Sequence, residues 1–117
     1  MEACGYDPYW LLLVGDPRTE PERLKAASPY FRCQQVRCPI FISHGARDPR
    51  VPVAESERMV AALKAHGKPV CYLRQEEVGH WPENEGAGFE LYRAVELFLG
   101  EHLGSKVGPA PVRWCNP

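Results

Sequence analysis

The sequence predicts an α/β fold: a βαβα unit of parallel sheet with flanking helices. Three observations carry that prediction. Two short, nearly continuous apolar runs, Pro39-Ile40-Phe41-Ile42-Ser43 and Pro69-Val70-Cys71-Tyr72-Leu73, have the length of strands. Continuous rather than alternating hydrophobicity is the pattern of strands covered on both faces, as in parallel sheets. A stretch of helical period follows each run, so strand and helix alternate, and a crossover of that kind is right-handed.

The elements follow in order. Tyr9-Trp10-Leu11-Leu12-Leu13-Val14 is too short for its period to decide between helix and buried strand, and Gly15-Asp16-Pro17 closes it. Thr19 reads as an N-cap, with Pro21 in the first turn and Glu22 reaching back as a capping box. That helix runs through Leu24 and Ala27 until Ser28-Pro29 stops it. After the first strand, a helix is expected from about Ala54 to His66, with Ser56, Met59, Val60 and Leu63 on one face and Gly67 as its stop. The last long helix carries Leu91, Val95, Phe98, Leu99 and Leu103 at helical spacing and ends at Gly104. Residues 105–117 read as an irregular tail rich in Gly and Pro. Two strands make a small sheet, so residues 1–104 read as part of something larger.

Composition narrows the function classes. Fourteen Lys and Arg against fifteen Asp and Glu leave a net charge of −1, without the basic surplus that nucleic acid binding needs. The longest aliphatic run, Leu11 to Val14, is far shorter than a membrane span. The start, Met1-Glu2-Ala3-Cys4, lacks the basic and apolar regions of a secretory signal. The five cysteines show no compact spacing and read as reduced thiols, so a cytoplasmic location is expected. Cys71, in mid-strand, is read as a small core hydrophobe. The Cys33 and Cys38 pair fits no zinc knuckle, so no metal is expected.

In an open parallel sheet, functional groups gather in the loops that leave the carboxyl ends of the strands. Here these loops are His44-Gly45-Ala46-Arg47-Asp48-Pro49-Arg50-Val51-Pro52 and Glu77-Val78-Gly79-His80-Trp81. They present Asp48 and His80, an acid and then a histidine, the order of the last two members of a Ser-Asp-His triad. In such a triad the histidine takes the nucleophile's proton, and the carboxylate fixes its tautomer and stabilises the imidazolium. His44, at a strand end, is read as making a structural hydrogen bond in the turn. Arg47 and Arg50 are read as a solvated pair. Trp10 and Trp81 are expected to pack against the core.

From Gly15 to Gly104 the chain resembles the C-terminal part of a prolyl-oligopeptidase-type serine hydrolase, an S9-like branch of the α/β-hydrolases. The resemblance rests on Gly15-Asp16-Pro17, Ala27-Ser28-Pro29, Cys38-Pro39-Ile40-Phe41-Ile42-Ser43-His44-Gly45 and Asp48-Pro49-Arg50-Val51-Pro52. It continues through Glu55-Ser56, Ala62-Leu63, Gly67-Lys68-Pro69-Val70, Gly79-His80, Phe98-Leu99 and His102-Leu103. It implies a partial α/β-hydrolase fold, Asp48 as triad acid and His80 as triad base. No cofactor is implied, and the substrate would be a peptide or ester; residues that bind it are not identified.

Two departures bear on function. Val78 and Trp81 stand where the family usually has an acidic residue before the Gly-His and a small one after it. No Gly-x-Ser-x-Gly occurs among the 117 residues, so the nucleophile and oxyanion hole are expected upstream of Met1. The expectation is therefore a serine-type peptidase or hydrolase fragment that carries the Asp-His half of a triad. The alternative is an inactive, truncated form that self-associates or pairs with the missing N-terminal part through its exposed sheet edge.

Overall fold

A computed structural model describes residues 8–104. They fall into two compact units, Met1–Arg32 and Cys33–Pro117. The expected irregular tail, 105–117, lies outside the described residues.

In the first unit, the apolar run left open by its period is helix α1, Pro8–Leu13. Its side chains are largely exposed, with Trp10 at 58%, so the expected packing of this indole against the core does not occur. Helix α2, Pro21–Ala27, is capped at Glu20 and not at Thr19, and no side chain bonds its N-terminus. The reason is local. The Asp16 carbonyl accepts from both Thr19 N–H and Glu20 N–H, which uses Thr19 to close a turn. Ser28 then leaves the helix with extended ψ, as a residue before proline must.

The second unit contains the sheet. A kinked 3₁₀ segment, Pro29–Gln35, ends in it with Cys33, whose side chain is fully buried and lies 3.7 Å from the Met59 sulfur. Strands β1, Ile40–Gly45, and β2, Val70–Gln75, pair in parallel, with Ile40 opposite Val70 and Gly45 opposite Gln75. Both strands run two residues beyond the expected ends because the His44–Arg74 and Gly45–Gln75 pairs continue the ladder. Helix α3, Val53–Ala65, connects them, and α4, Glu85–Leu103, follows.

Successive strand residues point to opposite faces, so two contacts assign both layers. His44 bonds Ser56 of α3, while Phe41 stacks at 5.6 Å on Phe98 of α4. One helix therefore covers each face of the sheet. The core is Val60 and Leu63 from α3, Cys71 and Leu73 from β2, Val78 from the loop, and Ala87 and Ala94 from α4. Gly67 stops α3 with φ +63°, the left-handed conformation that favours glycine.

Helix α4 begins at Glu85, where the Asn84 side chain accepts from Ala87 N–H at 2.7 Å and caps it. Gly86 and Gly88 in its first turns disguise that start in the sequence. Cys33 and Cys38 are in no disulfide, but Cys71 is disulfide-bonded, so the reading of every cysteine as reduced fails there.

Leu63 has no exposed surface. Leu63→Ala is expected to cost roughly 2–5 kcal/mol in urea unfolding. Lys64→Ala, one residue on and exposed, should stay within about 0.5 kcal/mol of wild type.

Candidate functional site

The site forms where the loops after β1 and β2 meet, and backbone contacts hold them together. Ala46 N–H donates to Gln75 O at 2.8 Å and Arg47 N–H to Val78 O at 3.0 Å. Gly45 makes that approach possible. A Cβ there would lie 2.1 Å from Gly79 O and 2.3 Å from Val78 O, distances no side chain tolerates. In the sequence Gly45 stands directly after a strand-length run, a position where glycine marks a close approach of another backbone. Gln75 secures the far side: its buried amide donates to Ala87 O at 3.0 Å and to Glu90 Oε2 at 2.8 Å, tying β2 to α4.

The loops bring Asp48 and His80 together. His80 Nδ1 lies 2.8 Å from Asp48 Oδ2. A carboxylate only accepts, so Nδ1 carries the proton and Nε2 is the acceptor of the neutral ring. Nε2 has no hydrogen-bond partner among the described residues, and the ring remains 30% exposed. Asp48 is held from the other side by its own turn, in which Oδ1 accepts from Arg50 N–H at 2.8 Å and Val51 N–H at 2.9 Å. Burial of the carboxylate pushes its pKa up. The bonds from Val51 N–H, the His80 ring and Arg50 N–H, with the His80 charge, outweigh that and bring it from 3.8 down to about 2. Asp48 is thus fixed as an anion with 5% of its side chain exposed.

Both residues line an open cavity of about 300 Å³ together with Ser43, Val51, Trp81 and Leu91. Trp81 is not packed in the core. It is 67% exposed and stands edge-on to His80, with ring centroids 5.1 Å apart. His44 makes the structural bonds expected of it, to Val51 O at 3.0 Å and Ser56 Oγ at 2.6 Å. Arg47 is solvated as expected, its side chain 65% exposed, and it pairs with Glu77 of the other loop at 2.5 Å. Ser43 lines the cavity, but among the described residues no hydrogen bond joins it to His80. No three His, Cys, Asp or Glu side chains converge as metal ligands among the described residues.

A parallel strand pair with a helix on each face is the arrangement shared with solved α/β-hydrolase peptidases. A Mycobacterium tuberculosis puromycin-hydrolyzing peptidase superposes with a TM-score of 0.83 at 28% identity, over 92% of this chain and 17% of that one. The model of the prolyl oligopeptidase family matches residues 2–106, and the chain belongs to that family. It is 38% identical to dipeptidyl aminopeptidase BIII of Pseudoxanthomonas mexicana, over 92% of this chain and 19% of the relative. It is 37% identical to dipeptidyl peptidase family member 6 of Caenorhabditis elegans, over 92% of this chain and 18% of the relative. The chain therefore spans less than a fifth of the length of these curated relatives.

Two outcomes follow from the geometry. Gly45→Ala must force the Val78–Gly79 carbonyls away and should cost about 1–3 kcal/mol in urea unfolding. Gly79→Ala, whose Cβ meets nothing within 4 Å, should cost far less, and equal losses would contradict the close approach. The second outcome concerns acid. The folded-state pKa of Asp48 is depressed, so the stability this group contributes is present above about pH 4 and lost as pH falls through about 2. The urea-midpoint gap between wild type and Asp48→Asn should hold steady above that window and close within it. A gap that does not change with pH would mean that the carboxylate is not held as an ion.

Proposed function

We propose that this chain supplies the Asp-His part of a Ser-Asp-His triad in a peptidase or esterase of the prolyl oligopeptidase family. The observation that carries the reading is the 2.8 Å bond between Asp48 Oδ2 and His80 Nδ1, at the carboxyl ends of adjacent parallel strands and beside an open cavity. Asp48 holds His80 with Nε2 unprotonated. That nitrogen takes the proton of an attacking serine hydroxyl and later gives it to the leaving amine or alcohol, while the Asp48 anion stabilises the imidazolium between those steps. The serine and the oxyanion donors come from outside these 117 residues, which contain no Gly-x-Ser-x-Gly.

A second reading, a module that binds without catalysing, is favoured by a separate observation. Phe89, Tyr92, Leu99 and Leu103 form a stripe along α4 at spacings of three, seven and four residues, and all are exposed, three of them above 70%. Spacing of that kind presents one apolar face to a partner. In that reading the stripe docks on a partner chain and no chemistry follows.

One chimera tests both readings. In it, this chain replaces the matching region of the Mycobacterium tuberculosis peptidase. A serine-directed fluorophosphonate should label the chimera and leave the isolated chain unlabelled. His80→Ala and Asp48→Asn should each lower its hydrolytic rate by about 10⁴-fold. A chimera that keeps its activity through His80→Ala would sink the triad assignment. One that is soluble and monomeric but never labelled, with α4 covered, would favour the binding module. Sedimentation of the isolated chain at rising concentration supplies the contrast, since self-association there would make a second copy the occupant of the stripe.

A further inference from the structure

We propose that His44 and Ser56 are positioning residues for the acid of the dyad, joined to it through the Val51 peptide. The inference rests on Asp48 being the acid partner of His80. Four contacts define it. Ser56 Oγ on α3 lies 2.6 Å from His44 Nδ1. His44 Nε2 lies 3.0 Å from Val51 O and 3.4 Å from Asp48 Oδ2. Val51 N–H donates to Asp48 Oδ1 at 2.9 Å.

The chemistry assigns the protons. The Val51 carbonyl only accepts, so His44 Nε2 must carry a hydrogen. In the neutral ring Nδ1 is then bare and accepts from the Ser56 hydroxyl. The Nε2–H dipole also points its positive end toward the Asp48 carboxylate, which adds a favourable charge interaction without a third ion. Val51 is gripped at both ends, by His44 at its carbonyl and by Asp48 at its amide, so the turn that aims Asp48 at His80 cannot swing freely. Ser56 sets the ring that does this. Its position on the crossover helix couples the dyad to the α3 face of the sheet, the face opposite α4. His44 is buried to 9% side-chain exposure, so water does not replace these partners.

The role assigned to these groups is to position Asp48, so their effect must be read at the dyad. The test uses the full chain labelled with ¹⁵N histidine and long-range ¹H–¹⁵N correlation at about pH 8, where an ordinary histidine is neutral. His44 is expected as the pure Nε2–H tautomer, and His80 as the Nδ1–H tautomer with a slowly exchanging proton. In Ser56→Ala, His44 should lose its single tautomer. The His80 Nδ1–H should then exchange on the order of three- to tenfold faster, the worth of one net hydrogen bond. Backbone amide exchange in β1 and β2 should be unchanged, which a general loosening would not allow. Ser56→Thr, which keeps the hydroxyl, should restore both signals, and His44→Phe should reproduce the loss at His80.

An Nδ1–H tautomer at His44 in wild type overturns the proposal. So does a His80 proton that ignores both Ser56→Ala and His44→Phe while still responding to Asp48→Asn; in that case the dyad stands and only the positioning role fails. A His80 proton that Asp48→Asn does not move removes the dyad itself, and the positioning role with it.

Discussion

Gly45 ends β1 where any Cβ would strike the carbonyls of Val78 and Gly79. Because nothing projects from it, the loop after β1 can press against the loop after β2, and the Ala46 and Arg47 amides then bond to the other loop's backbone. Parallel register brings the two strand ends to the same level, with Gly45 opposite Gln75. This close approach carries Asp48 to within hydrogen-bond reach of a histidine 32 residues further along the chain. The site depends on it more than on any ion pair, since the exposed Arg47–Glu77 contact between the same loops is of a kind worth little in water.

The Asp48 carboxylate is the electrostatic centre of what the loops enclose. Burial alone would favour its neutral form, but two backbone N–H groups and an imidazole N–H converge on it, and its pKa falls to about 2. The dyad is therefore a fixed anion beneath a ring whose second nitrogen is left without a partner among the described residues. That asymmetry suits a proton shuttle, with one nitrogen committed to orientation and the other left for chemistry. Trp81 adds an aromatic wall beside the ring.

Membership of the prolyl oligopeptidase family and the chain's small share of its relatives' length bear on the same features. A two-stranded sheet has both strands at an edge, and the outer face of α4 shows an apolar stripe to solvent. Further strands pairing at either edge would remove the first condition. The continuous apolar runs of β1 and β2 agree with that setting, because Ile40, Phe41 and Ile42 remain only half-buried between α3 and α4.

The sequence by itself determined the two strands, their parallel pairing and the helix that follows each, and it singled out Asp48 and His80. These rest on local patterns: apolar runs of strand length, helical periodicity, and an acid and a histidine directly after strand ends. It also carried the family, through short motifs whose order survives without any coordinates. Only the tertiary structure decided the rest, because those features depend on contacts between distant residues. The start of α4 turned on the Asn84 cap, which the helix-disfavouring Gly86 and Gly88 hid. Thr19 lost its capping role to a turn closed by the Asp16 carbonyl. Trp81, expected in the core, stands exposed beside His80 at the cavity. The need for glycine at position 45 and the bond from His44 to Ser56 join residues that only packing brings together. A linear pattern records what each segment prefers, whereas space between two loops belongs to neither segment alone.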